Sequence, residues 1–260
     1  MPTVADIASA IAARTNPEHT PDWDPVGLQL GDPGAAVGSI SVCHEVTEEV
    51  LERLDSDPVD LLVSYHPLLF TPTNRILAGK SAGARSYRLI RAGTSLLVTH
   101  TDFDAAPGGT ADALAALFGL HDVEPFGASP EEGLPDIGRH GRFQGTLGRV
   151  DALLSDEFGM VGVRISGDRD VAVDRVAVVP GSGSSLIEAA STVAQVLVTG
   201  DVSHHRAVAA LDQGLAIADP GHVATERPGM AALAAMVSEI GAAHDAEVVD
   251  LTDIDPRTWS

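Results

Sequence analysis

A single cysteine, Cys43, excludes two classes of chemistry. No internal disulfide can form, and no zinc site can be built from thiolates. Cys43 itself sits in an apolar strand pattern and reads as packing rather than as a nucleophile. Basic residues are also scarce. There are 16 Lys plus Arg against 37 Asp plus Glu, a formal net charge of −21, and Lys80 is the only lysine. Duplex nucleic acid is held largely by Lys and Arg neutralising phosphates, so a nucleic-acid partner is disfavoured. No uncharged apolar run approaches the ~18 residues of a membrane helix, so no membrane partner is expected. The start of the chain, Met1-Pro2-Thr3-Val4-Ala5-Asp6, lacks the basic region and clean apolar core of a signal peptide. These absences lead to the expectation of a soluble cytoplasmic protein.

The acidic excess carries a second expectation. Self-repulsion destabilises a compact state in dilute buffer. At ~1 M salt the Debye length falls to ~3 Å and the penalty fades. A salt-rich, halophilic cytosol fits this charge; an acidic protein from a GC-rich genome fits it equally.

What is present supports a substantial core. Hydrophobic residues make up 44% of 260 residues, enough for one large or two small domains. Thr3 can cap a helix over residues 4–13. Residues 16–25 form a Pro/Asp-rich turn. Strand patterns fall at 39–43, 60–64 and 95–99, the last two being apolar runs without alternation, as in fully buried strands. Helical patterns fall at 45–54, 84–92 and 110–118. The stretch 122–139 is rich in Pro, Gly and Glu and reads as a linker. Beyond it, strands are expected at 142–150, 171–179, 195–199, 215–218 and 247–251, with helices at 184–191, 204–213 and 225–240. Met230-Ala231-Ala232-Leu233-Ala234-Ala235-Met236 makes that last helix apolar on nearly all sides, which argues for burial. Such alternation predicts an α/β protein with mixed sheets flanked by helices. The expected division is a first α/β domain over 1–123 and a second over 124–228. The stretch 229–260 is able to return to the first.

Three segments concentrate chemistry. Ser64-Tyr65-His66-Pro67 and His100-Thr101-Asp102-Phe103-Asp104 each follow a buried strand, where ligands gather in open α/β sheets. In an extended chain His100, Asp102 and Asp104 share one side. In Gly221-His222-Val223-Ala224-Thr225-Glu226, His222 and Glu226 are four apart, so at the mouth of a helix both face one way. Imidazoles with carboxylates suit a borderline divalent ion such as Zn, Mn, Fe, Co or Ni. Carboxylates can also bridge two ions ~3.5–4 Å apart. Spacing alone leaves the plain readings open: a hydrogen-bonded turn for His66, a solvated helix face for His222 and Glu226, and a turn cap for Asp104.

Read in order, these segments resemble the Nif-three-like (YbgI-type) dinuclear-metal family. The resemblance begins at Trp23-Asp24-Pro25-Val26-Gly27-Leu28-Gln29 and continues through Tyr65-His66-Pro67-Leu68-Leu69-Phe70 and His100-Thr101-Asp102-Phe103-Asp104. It ends with Thr199-Gly200-Asp201-Val202-Ser203-His204-His205 and Gly221-His222-Val223-Ala224-Thr225-Glu226. It implies a two-domain subunit with a metal site in the interdomain cleft, holding one or two divalent ions per subunit. It also implies a homo-oligomer, a toroidal hexamer. The metal residues it carries over are His66, Asp104, His222 and Glu226, with Asp104 and Glu226 as bridging carboxylates. Many bacterial members have two adjacent histidines where this chain has Tyr65-His66. A neutral phenol, with a pKa of ~10, is a poor ligand, so one position is short of a donor. That position is weaker, empty, or completed by His100 or water.

The remaining candidates follow from place. His100 is a ligand or a near neighbour. His205, with His204, begins a helix and is placed to move a proton or orient a substrate, or else lies on an exposed face. Tyr65 is a third proton carrier. Asp102 suits a hydrogen bond to a metal-bound histidine. The amides of Pro180-Gly181-Ser182-Gly183-Ser184-Ser185 could cradle a phosphate, although the Walker lysine is missing and a tight turn explains them as well. Trp23 reads as a core or interface anchor. The function implied is a metal-dependent hydrolase, GTP cyclohydrolase type 2-like, acting on a small-molecule and possibly nucleotide substrate. Arg75, Arg206 and Arg227 are the nearest basic groups for a triphosphate. The alternative is a non-catalytic role in metal storage, metal delivery or regulation.

Overall fold

The structure is a computed structural model that describes residues 1–15, 20–79, 81–128 and 135–256. Part of the Pro/Asp-rich turn (16–19), Lys80 and the middle of the expected linker (129–134) lie outside the described residues. In chain order the first elements are α1 (Val4–Thr15), β1 (Gly27–Leu30), β2 (Ser39–Cys43), α2 (Glu48–Ser56), β3 (Leu61–Ser64), α3 (Ala82–Ala92), β4 (Ser95–Val98), α4 (Thr101–Ala105) and α5 (Thr110–Leu117). There follow β5 (His121–Phe126), β6 (Gly138–Thr146), α6 (Leu147–Ala152) with a π-helical turn, β7 (Arg164–Ser166) and β8 (Ala172–Val178). A 3₁₀ turn then leads to α7 (Ile187–Val193), β9 (Val196–Val198), α8 (His204–Asp212), β10 (Ala216–Asp219), α9 (His222–Ala243) and β11 (Glu247–Asp250).

The chain divides into two compact units. One comprises Met1–Ala106 with Met230–Ser260, and the other Pro107–Gly229. The first division therefore falls before α5 rather than near residue 123. The reason is packing: Leu114, Ala115 and Phe118 join the same apolar cluster as Val176 and Val196 of β8 and β9.

In the first unit the sheet runs β1-β4-β3-β2-β11. The last four of these strands are mutually parallel, and β1 closes the edge antiparallel to β4. The uninterrupted apolar strands feed two cores by alternation. Ile40, Val42, Leu61, Val63 and Leu97 join α1 and the second half of α9 on one face. Cys43, Leu62, Leu96 and Val98 join α2 and α3 on the other. Burial on both faces is what removes the polar alternation from the sequence. Local signals set the helix starts. The Thr3 amide donates to Asp6 at 2.8 Å while the Asp6 amide donates to Thr3 Oγ1 at 3.2 Å, a reciprocal cap on α1. Thr47 and Ser81 cap α2 and α3 in the same manner.

In the second unit the sheet runs β5-β6-β8-β9-β10-β7. Strands β8, β9 and β10 are parallel, and β5, β6 and β7 join antiparallel. Alternation again splits two cores: Val176, Val178, Val196 and Val198 on one side, Ala177, Val179, Leu197 and Ile217 on the other.

Two expectations need correcting. Residues 122–126 and 138–139, expected in the linker, belong to strands β5 and β6. β5 is an exposed edge strand, and edges tolerate Glu124 and Pro125, which disguise it as a loop. The strand expected over 142–150 ends at Thr146, whose side chain accepts from the Arg149 amide and starts α6.

Candidate metal centre

In the first unit, three parallel strands end side by side, and each is followed by a histidine: His44 after β2, His66 after β3 and His100 after β4. The ladder continues past the strands. The Tyr65 amide donates to the Cys43 carbonyl at 3.0 Å and the His66 amide to the His44 carbonyl at 2.8 Å. Four rings therefore meet. His66 stands 4.9 Å from His44, 4.9 Å from Tyr65 and 5.2 Å from His100, centroid to centroid. His44 and His66 each bring a ring nitrogen to within 4.8 Å of the other's.

Acids fix this group from behind. The fully buried Tyr65 hydroxyl donates to Asp104 Oδ1 at 2.6 Å. Asp24 is 6% exposed. It lies 2.9 Å from His100 Nδ1 and accepts from the Thr101 amide and hydroxyl at 3.2 and 2.5 Å. Burial pushes the Asp24 carboxyl up, but the hydrogen bonds from His100 and Thr101 outweigh it and leave the group below its ordinary range.

Residues 101–105 form α4, not an extended chain, so Asp102 and Asp104 diverge. Asp102 accepts from the His100 amide at 2.6 Å and from the Thr99 hydroxyl, holding the loop into the helix rather than orienting an imidazole. Asp24 does the orienting. Cys43 is fully buried, and desolvation carries its thiol up to about 12, as a packing role requires. Trp23 is 52% exposed with its ring 6.2 Å from Phe70, so it is not part of the core.

In the second unit, α9 starts at the carboxyl end of β10. Its first turn aligns His222 with Glu226, Nε2 to Oε1 at 2.9 Å, and Glu226 is 2% exposed. The other ring nitrogen, Nδ1, lies 2.8 Å from Asp201 Oδ2. Burial disfavours charge on this ring, yet Glu226 and Asp201 together raise its pKa to about 9. Asp201 has φ of +58°, an uncommon value for a non-glycine residue. Asp219 stabilises the two loops by accepting from the Val202 and Gly221 amides, each at 2.9 Å.

The loop after β8 closes on the same turn. Gly181 donates to Thr225 Oγ1 at 2.9 Å and Gly183 to Thr199 Oγ1 at 2.8 Å. Those two amides are committed internally, which fits the tight-turn reading of the segment 180–185. It precedes only a three-residue 3₁₀ turn. His204 and His205 lie exposed at the start of α8, their rings 5.5 Å apart.

The sequence reading thus named His66, Tyr65, His100, Asp104, His222, Glu226 and His205. The structure gathers the first four in one unit, and His222 with Glu226 in the other. His44, Asp24 and Asp201 were not singled out as site residues. The rule that found His66 and His100, a histidine just past a buried strand, also finds His44. Asp24 and Asp201 lie inside motifs already marked.

Residues 2–256 match the family model described as Duf34/NIF3, NGG1p interacting factor 3. A Streptomyces coelicolor protein named GTP cyclohydrolase 1 type 2 homolog is 30% identical over 99% of this chain and 94% of its own length. A Nostoc protein of the same name is 31% identical over 86% of this chain and 87% of its own. Among solved structures, a Bacillus cereus protein related to NIF3 superposes with a TM-score of 0.87. It is 21% identical over 100% of this chain and 99% of that one. Protein ybgI superposes with a TM-score of 0.81 at 23% identity, over 98% and 99%.

Proposed function

The chain belongs to the Duf34/NIF3 family, and on that premise we propose a divalent-metal-binding hydrolase related in chemistry to the GTP cyclohydrolase named for its relatives. The ligands in this reading are His66 and Asp104 from the first unit and His222 and Glu226 from the second. One observation carries it: His222 presents one ring nitrogen to a buried carboxylate while a second carboxylate, Asp201, holds the other. A histidine oriented in this way is the usual form of a metal ligand in proteins. The donor types, imidazole and carboxylate with no thiolate, fit Zn, Mn, Fe, Co or Ni. No described helix is long and apolar enough to cross a membrane.

A divalent ion held by these residues supplies Lewis acidity and brings the pKa of water toward neutrality. The protein's own groups do the rest. Asp24 keeps the His100 ring oriented, ready to take or return a proton. Tyr65 fixes the Asp104 carboxylate. His205 is exposed and placed as a mobile proton carrier. Arg206 and Arg227, both exposed, supply positive charge near the second-unit motifs, and Arg75 near the first. The assembly in this reading is a homo-hexamer, checked by light scattering of the purified protein.

The test is direct. Protein purified without chelator, then supplied with Mn, Fe or Zn, is incubated with GTP and with a panel of phosphoesters. Formate release from GTP, lost in His222→Ala and retained in the surface control Arg169→Ala, supports the reading. Metal bound without turnover of any of these substrates transfers the protein to a storage or delivery role. No metal bound under any loading condition ends the proposal.

A further inference from the structure

We infer that His44 is a metal ligand and supplies the second imidazole that Tyr65 does not. The inference rests on the metal-binding reading above, and concerns which of this chain's own residues complete the first unit's donor set.

Two observations meet here. Tyr65 stands where a second histidine would pair with His66. Its phenol is fully buried and donates to Asp104 Oδ1 at 2.6 Å. A hydroxyl engaged as a donor to a carboxylate is a positioning group, and a neutral phenol is a poor donor of electrons to a borderline cation. His44, in contrast, is 2% exposed and lies at the carboxyl end of β2. Strand register accounts for its place. Cys43 pairs with Ser64, so the next residues, His44 and Tyr65, continue side by side. Their rings are 5.5 Å apart, and the His44 ring is 4.9 Å from that of His66. The imidazole missing from position 65 is thus provided from the neighbouring strand.

The spacing suits one cation. His44 and His66 offer ring nitrogens within 4.8 Å of each other. Two imidazoles on one ion, with bonds of ~2.0–2.1 Å, hold their nitrogens roughly 3–4 Å apart. A small side-chain rotation spans the difference. With His44 included, the first unit's proposed donors become two imidazoles (His44 and His66) and one carboxylate (Asp104). A nitrogen-rich set of this kind selects Zn, Co, Ni or Fe over the oxygen-seeking Mg and Ca. The occupant is therefore a borderline transition metal and not magnesium.

The experiment uses the whole chain with Zn(II) and Co(II) as probes. Metal per subunit is counted by mass spectrometry after equilibrium dialysis, and the ligand-field spectrum of the Co(II) form is recorded. In His44→Ala, Zn(II) affinity is expected to fall about tenfold or more and the Co(II) spectrum to change. Tyr65→Phe is expected to lower Zn(II) affinity less than His44→Ala does, and excess Mg(II) is expected not to displace Zn(II). Wild-type affinity and spectrum in His44→Ala, with loss of metal in His66→Ala, would overturn the His44 assignment alone. Wild-type binding in both variants would overturn the metal-binding reading itself. Loss of one metal equivalent in Tyr65→Phe, with wild-type affinity kept in His44→Ala, would assign the position to the phenol. Should His44→Ala fold poorly, nitrogen-15 spectra of the histidine rings in the unmutated protein decide: Zn(II) either shifts a His44 ring nitrogen or leaves it in place.

Discussion

A buried carboxylate makes demands on its neighbours, and Asp104 and Asp24 meet those demands differently. Asp104 receives the Tyr65 hydroxyl in a fully buried contact. Removing that donor in Tyr65→Phe deletes one hydrogen bond to a buried carboxylate, which costs about 1.5–3 kcal/mol. Urea unfolding of metal-free protein is expected to show a lower midpoint with an unchanged slope. Asp24 receives His100 and two groups of Thr101, and its pKa is held below the ordinary value of 3.8. A depressed carboxyl contributes stability that is fully present above that ordinary value and is lost as pH falls through the lower, folded-state value. Acid titration followed by circular dichroism is therefore expected to show a steeper loss below pH ~4 in the wild type than in Asp24→Asn. Equal acid limbs would remove Asp24 from this role. Neither acid's partner was legible from spacing. Tyr65 and Asp104 are 39 positions apart and Asp24 and His100 are 76 apart, so only the folded strand order brings them together.

At the scale of elements, the strand ends were readable and the loops between them were not. Apolar runs such as Leu61-Leu62-Val63 announce strands buried on both faces, and a histidine just past such a run stands at the sheet's carboxyl edge. That rule applies equally to His44, His66 and His100. β5 was illegible because an edge strand carrying Glu and Pro has the composition of a loop. α4 was illegible because five residues are too few to show a helical period. The glycine-rich loop after β8 looked like an anion cradle, yet its backbone serves the turn that carries His222. Gly181 has φ of +62°, and a Cβ there would lie 2.8 Å from Glu226 Oε1 and 3.2 Å from His222 Nε2. Gly181→Ala therefore adds backbone strain of about 1–2 kcal/mol and also displaces the pair. Gly214, with φ of +77° and open space around its missing Cβ, isolates the strain alone. Both alanine variants are expected to melt lower than wild type, whereas only Gly181→Ala is expected to bind Zn(II) more weakly. Equal Zn(II) affinity in the two would separate this loop from the site.

For the molecule as a whole, charge is the property that composition stated and the fold does not cancel. Exposed pairs such as Arg88 with Glu48 and Asp55, or Arg169 with Asp151, add attraction that salt weakens. Each is worth at most ~1 kcal/mol at the surface. Against them stands a net charge of −21, so most of the acidic excess has no cation to match it. Screening therefore relieves more repulsion than the attraction it removes. The melting temperature at neutral pH is expected to rise between 50 mM and 1 M KCl, as a salt-rich cytosol would require. Salts also strengthen apolar burial by exclusion from the surface, and that effect does not depend on net charge. Repeating the series near the isoelectric point of about 4.6 separates the two. With the net charge close to zero, the KCl-dependent rise is expected to shrink to a small remainder. A rise of equal size at both pH values would assign it to general salt exclusion, and a flat or falling curve at neutral pH would refute the halophilic reading.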